Sequence, residues 1–288
     1  MNIKTFKIKY LWSLPLFVII LCLFYFYILM PRQSLRSLAY NYIKVSKSID
    51  IVKSKPTKWY VPAKKFNESS ILVKTIVISE DWAFFQHFGL DLRQLYHSIK
   101  DALFGDDLRG ASTITQQVVK NIYFSSKRSY IRKLHELFYA LYLERYVSKH
   151  KILTLYLNLI ELGPNIYGVY DASMYYFGKW PDQLNPREAA FITMLLPSPI
   201  KYGESFRSKI LTDFARHSID RLLNKMVLAK LLTRGEREHY LRQSFYWEQG
   251  SQKLPVKDNE ESSQDLEQMM HLEEEYKKND EEQEVESE

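Results

Sequence analysis

One cysteine (Cys22), nine glycines and ten prolines in 288 residues exclude several classes of protein at once. A lone thiol cannot form an intrachain disulfide framework or a cage of several cysteines around a metal. So little glycine and proline rules out collagen-like and linker-dominated chains. Sustained alternation of apolar and polar residues between hairpin turns is also missing, which argues against a β-sandwich or barrel. There is no repeat of solenoid period. What is present is 46% hydrophobic and 15% aromatic residues, too much apolar surface for a wholly disordered chain. The length suits one sizeable domain with extras, or two small ones.

The net charge of +6 averages over unlike parts. Residues 258–288 carry fourteen acidic and two basic side chains, a net of −12, so residues 1–257 stand at +18. The segment 248–288 reads as an acidic, solvated, disordered tail. A strongly basic body suits anionic partners: nucleic acid, anionic lipid heads or phosphorylated substrates. From Leu11 to Met30 no charge occurs for twenty residues, which as a helix spans roughly 30 Å of hydrocarbon. We read 11–30 as a transmembrane anchor after a short cytoplasmic segment, 1–10. A cleaved signal peptide would have a shorter apolar stretch and a small-residue cleavage site, whereas this one ends in Met30-Pro31-Arg32. Basic residues flank the span on both sides (Lys4, Lys7 and Lys9; Arg32, Arg36, Lys44 and Lys47), so they do not orient it.

After a juxtamembrane linker, 31–66, the body at 67–247 shows helical periodicity nearly throughout, and the expected fold is mainly α. Ile71, Leu72, Thr75 and Ile76 fall at helical spacing, as do Leu134, Leu137, Phe138 and Leu141, then Ile152, Leu155, Tyr156 and Leu159. Pro164, Gly168, Gly178, Pro181 and Pro186 predict a loop with short helices. Two amphipathic helices are expected between Phe206 and Tyr246, divided near Arg234-Gly235. Leu92, Leu95, Tyr96, Ile99, Leu103 and Phe104 form an apolar stripe that fits either a core-facing helix or one lying in a membrane interface.

Three segments could carry chemistry. If the helix from Ile71 continues, Glu80 lies over Ile76 and Val77. A carboxylate there is partly desolvated and a stronger base; equally, Glu80-Asp81 could simply end the helix. In GASTITQQVVKN at 110–121, Ser112, Thr113 or Thr115 can cap a helix whose Gln116 and Lys120 share one face. That is an oxyanion or phosphate site or an ordinary capped surface helix. Arg128, Arg132 and Glu136 are spaced by four, on a face opposite Leu134, Leu137, Phe138 and Leu141. This is either a solvated ion-paired face or a carboxylate among cations that hold a polyanionic leaving group.

Together these segments resemble the family 51 glycosyltransferases, the peptidoglycan glycosyltransferases found alone or fused in class A penicillin-binding proteins. Five motifs occur in order: EDWAFFQHFG at Glu80, GASTITQQVVKN at Gly110, RKLHELFYALYLE at Arg132, KILTLYLNLIELGPNIYGVYDASMYYFGK at Lys151 and LNPREAAFITMLLPSP at Leu184. The resemblance implies a lysozyme-like helical head with a small membrane-associated jaw, here about 90–110, on the extracytoplasmic side of the bacterial cytoplasmic (inner) membrane. It implies that lipid II, the undecaprenyl-pyrophosphate-linked disaccharide pentapeptide, is polymerised onto a nascent glycan strand with inversion at the anomeric carbon. By the same resemblance Glu80 is the base and Glu136 assists the departing lipid pyrophosphate. Asp81, His87, Ser112, Thr113, Gln116, Gln117, Lys120, Asn121, Arg128, Arg132 and Lys133 bind substrate. A divalent cation, Mg2+ or Mn2+, is compatible with this chemistry at Glu136 without being demanded by it. Other cell-wall synthesis proteins are compatible partners; nucleic acid is not an expected one.

Two positions depart from the family pattern: His97 stands where an Arg is usual, and His135 where a Lys is common. Replacing fixed cations by imidazoles implies weaker donor binding that tightens toward pH 6. The string Ser148-Lys149-His150-Lys151 mimics a penicillin-binding S-x-x-K pattern, but no K-T-G occurs, so a monofunctional enzyme is expected. The competing reading is a catalytically weak homologue that binds lipid II or organises cell-wall assembly. A wall-cleaving lytic enzyme would share the fold but have no use for this motif set.

Overall fold

The computed structural model describes residues 21, 24, 25, 28, 30–38, 66–96, 112–124 and 129–248. Its helices are α1 (Arg32–Ser37), α2 (Ile71–Glu80), α3 (Ile114–Tyr123), α4 (Tyr130–Tyr146) and α5 (Lys149–Leu159), then, after the strands β1 (Glu161–Gly163) and β2 (Ile166–Tyr167), α6 (Gly168–Phe177), α7 (Pro186–Met194), α8 (Pro199–Tyr202), α9 (Glu204–Ser208), α10 (Asp213–Leu228) and α11 (Arg234–Arg242). A 3-10 turn, Pro181–Gln183, lies between α6 and α7. The described chain is thus mainly helical, as expected. The antiparallel pair β1–β2 was not expected. Strands of three and two residues are too short to show a period of two, so the hairpin is hidden in the proline- and glycine-punctuated stretch.

Two compact units emerge, residues 1–63 with 84–155 and residues 64–83 with 156–288. In the first, α3 and α4 pack together and α1 packs on α4. Leu35 and Leu38 are buried, Arg36 Nη2 donates to Tyr146 Oη at 2.9 Å, and the Arg36 guanidinium lies 4.4 Å from the Tyr146 ring centre. Ser34 Oγ and Tyr123 Oη are 2.9 Å apart. Burial pushes the Tyr123 phenol up to about 12, against the pull of that hydrogen bond. Gly89 sits at φ +77°, and a Cβ there would lie 3.1 Å from Glu144 Cγ and 3.2 Å from the Ala140 carbonyl. Only glycine admits so close an approach of the Phe84–Gly89 segment to α4.

The second unit is organised around α7, whose nine residues are all buried. A helix buried on every face is a core helix, and this one packs against α2, α6 and α10. Leu72 and Ile76 of α2, Phe191 and Ile192 of α7, and Ile219 and Leu223 of α10 are at most 1% exposed. Asn185 caps α7 in a capping box with Glu188, and Pro186 occupies the first helical position, where its missing N–H costs nothing. Phe191 meets the rings of Tyr176, Phe177, Phe245 and Trp247 at centroid distances of 5.3–5.7 Å. Arg187 stacks on Phe245 at 4.8 Å and donates to the carbonyls of Tyr240 and Leu241, satisfying the C-terminal end of α11. The break between the last two long helices falls at residues 229–233. Thr233 caps α11 with Glu236, so Arg234-Gly235 begins a helix rather than dividing two.

Two expectations are corrected. Leu134 is exposed, and the buried face of α4 is Glu136, Tyr139, Ala140 and Leu143. Glu136 therefore does not lie on a solvated face opposite an apolar stripe, because two adjacent cations make its burial tolerable. Helix α4 begins at Tyr130 with Ser129 as its cap, and Arg128, expected on the same face, lies outside the described residues. The described part of the Leu92–Phe104 stripe is not core-facing: Leu92 and Tyr96 are 70% and 66% exposed. No helix among the described residues is long and apolar enough to cross a membrane. Most of the expected anchor at 11–30, most of the linker at 31–66 and nearly all of the tail at 248–288 lie outside the described residues.

Candidate active site

In the first unit the candidate residues gather where α3 starts beside α4. Thr113 is the cap of α3: its Oγ1 accepts from Gln116 N at 3.2 Å and donates to Gly89 O at 2.8 Å. Gln116 Oε1 returns the favour by accepting from Thr113 N at 3.1 Å, completing a capping box. Both side chains are buried, and their hydrogen bonds fix the helix start and tie it to the end of the first motif. Gln117, Lys120 and Asn121 are half-buried farther along α3.

Ser112 Oγ, just outside the cap, accepts from Lys133 Nζ at 2.6 Å. That ammonium is also 3.4 Å from Glu136 Oε2, while Arg132 Nε is 2.9 Å from Glu136 Oε1. The Glu136 side chain is only 3% exposed. Its contact with Arg132 is an ion pair without an aligned hydrogen bond, so Oε1 keeps room for one more donor. Paired with two cations, this buried carboxylate belongs to a charged cluster that can sit beside a bound anion. His135 turns elsewhere: its Nδ1 is 2.9 Å from Ile131 O, and its ring lies among Tyr25, Phe124 and Tyr139. His87 is half-buried, edge-on to Phe84. Arg128, His97, Gly110 and Ala111 lie outside the described residues.

In the second unit Glu80 is the last residue of α2, half-buried, and Asp81 caps the helix with its N–H on Val77 O. Glu80 therefore does end a helix, the plainer of the two expectations, and it does so without becoming fully exposed. Asp81 is buried. Tyr156 of α5 is fully buried nearby: burial, and then the charges of Glu80 and Asp81, push its phenol well above the usual range. Sequence reasoning did not single out Tyr156, because an aromatic at helical spacing reads as core. It also passed over Glu144, and it read Thr115 only as a possible cap and Lys149 only as part of an S-x-x-K string.

The described chain thus carries a buried carboxylate, Glu136, between two cations, and a half-buried one, Glu80, that ends another helix. The chain matches the family model described as Transglycosylase over residues 46–227, and it belongs to that family. It is similar to the biosynthetic peptidoglycan transglycosylase of Shewanella amazonensis, 46% identical over 127 residues, covering 44% of this chain and 52% of that protein. The protein of the same description from Marinomonas sp. is 47% identical over 124 residues, 43% of this chain and 55% of the relative. That from Vibrio parahaemolyticus is 42% identical over 126 residues, 44% and 56% of the two chains. The chain thus spans about half the length of these curated relatives.

Proposed function

We propose that this protein is a peptidoglycan glycosyltransferase that polymerises lipid II into glycan strands and releases undecaprenyl pyrophosphate. The observation that carries this reading is the Ser112–Lys133–Glu136–Arg132 cluster, set within a chain of the transglycosylase family. In the proposed reaction Glu80 takes the proton from the acceptor sugar's 4-hydroxyl as that oxygen bonds to the donor's anomeric carbon. The bond from that carbon to the pyrophosphate oxygen breaks with inversion, and the oxygen leaves with the electron pair. Lys133, Arg132, Lys120 and Arg128 neutralise the charge that gathers there, where fixed cations in a poorly hydrated site act strongly. Glu136 holds Arg132 and Lys133 in place beside the departing pyrophosphate. Asp81, His87, Ser112, Gln117 and Asn121 line the substrate, and Thr113 and Gln116 shape the helix end that faces it.

The donor set does not fit a resident divalent ion. Among the described residues no group of three or more His, Cys, Asp or Glu converges, and the two cations flanking Glu136 would repel one. No step is routed through a metal.

The proposed setting is the outer face of the cytoplasmic membrane, with 11–30 as anchor, 67–247 as catalytic domain and about 90–110 as the jaw of a lysozyme-like head. The exposure of Phe85, Phe88, Leu92 and Tyr96 supports a membrane-facing surface there. The test is to give purified, detergent-solubilised protein lipid II and resolve the products by electrophoresis. A ladder of glycan polymer is expected. Its absence under several detergent and metal conditions, with lipid II still bound, would leave a binding protein instead.

A further inference from the structure

Thr115, Glu144 and Lys149 form a buried group that the proposed chemistry does not use. Glu144 lies eight residues after Glu136 on α4, and its side chain is 3% exposed. Its Oε1 accepts a short hydrogen bond from Thr115 Oγ1 and lies 2.7 Å from Lys149 Nζ. Lys149 in turn sits 4.4 Å from the centre of the Phe84 ring, and Glu144 Cγ backs the cramped Gly89. One carboxylate thereby joins the end of the first motif, the first turn of α3, the body of α4 and the start of α5.

We propose that this network is a positioning device for the anion-binding cluster, with Glu144 as its key residue. Thr115 is in the same turn of α3 that follows Ser112, so tying Thr115 to Glu144 sets how α3 begins against α4. That setting decides whether the Lys133 ammonium reaches Ser112 Oγ and Glu136 Oε2 together. Simple packing does not call for charges here: apolar side chains of similar volume commonly hold a fold as well as a buried ion pair does. What the pair adds is direction, because a hydrogen bond and an ion pair at one oxygen admit one geometry while apolar contacts tolerate sliding.

The inference rests on the glycosyltransferase reading for its substrate, so the experiment measures two things on the full chain: steady-state kinetics on lipid II, and the affinity for inorganic pyrophosphate by calorimetry. The variants are Glu144→Gln, the paired Glu144→Leu with Lys149→Met, and Lys149→Arg. The paired variant leaves no buried cation unbalanced, so it keeps the test alive if Glu144→Gln unfolds. Expected for the paired variant is a KM at least tenfold higher, kcat within threefold, pyrophosphate binding about tenfold weaker, and a melting temperature within a few degrees of the parent. Lys149→Arg should keep the parent's values. A folded paired variant with the parent's KM and pyrophosphate affinity would overturn the proposal. If the parent makes no polymer yet binds pyrophosphate, and the paired variant binds it more weakly, the network stands and the polymerase reading falls.

Discussion

The two units each hold one of the paired carboxylates, and they hold them differently. Glu136 is buried and ion-paired with Arg132 and Lys133, in a unit that leaves Tyr130, Ile131, Leu92 and Tyr96 exposed. Glu80 is half-buried at a helix end, beside a buried Asp81 and Tyr156, in a unit whose core closes around α7. The contrast matches the two tasks proposed for them. A group that organises cations beside a leaving pyrophosphate gains from burial and fixed partners, whereas a base must reach an incoming hydroxyl and cannot have all its lone pairs taken.

The largest test of that contrast is Glu80→Gln. It should cut polymer formation by about 10²- to 10⁴-fold while leaving the melting temperature nearly unchanged, read from lipid II consumption and a thermal scan of the same sample. Comparable polymer from variant and parent would remove Glu80 as the base. Next comes Phe191→Ala at the centre of the second unit's aromatic cluster. A cavity there should cost about 3–5 kcal/mol, measured by denaturant unfolding, whereas Tyr130→Ala on the exposed face of the first unit should cost almost nothing. Glu136→Gln should do some of both: turnover falls about 10²-fold, and stability falls by about 1–2 kcal/mol because Arg132 and Lys133 lose their counter-charge. If Glu136→Gln proves as silent in stability as Glu80→Gln, the distinction between a buried and an accessible carboxylate fails.

The smallest effect compares one tyrosine from each unit. Burial pushes both Tyr123 and Tyr176 up to about 12. Because the folded state binds these protons more tightly than the unfolded chain, the stability they carry is complete below about pH 10. It drains away as pH rises toward 12, by up to about 2 kcal/mol each. Tyr123→Phe should flatten that alkaline loss and free α1 from the Ser34 hydrogen bond. Tyr176→Phe should flatten it too, but lower stability at neutral pH by about 1 kcal/mol, since its hydroxyl donates to Leu162 O in the buried core. Urea titrations at pH 7 and pH 11 separate the two.

Much of this was legible in the chain of letters. Helical spacing marked α2 and α5, and the hydroxyl-rich start at Ser112-Thr113 announced a cap, because these signals are local and need only neighbours within a turn. The order of five motifs carried the family. The amphipathic reading of α4 failed because its apolar residues are spread around the helix. Which of them turn inward depends on where α3 lies, and Glu136 was buried by partners that no periodicity could price. The β1–β2 hairpin failed for lack of length. The network of Thr115, Glu144 and Lys149 was not foreseen because each is unremarkable by itself: they meet only once α3, α4 and the start of α5 are packed.

Sequence alone therefore determined the mainly helical class, the membership in the transglycosylase family and the residue types available for the chemistry. Those follow from composition, period and order along the chain. Tertiary structure alone decided which face of α4 is buried, that Lys133 beside Glu136 reaches Ser112, and that Glu144 ties the first motif's end to two helices. Such facts are distances between residues remote in sequence, and only the packing of the core sets them.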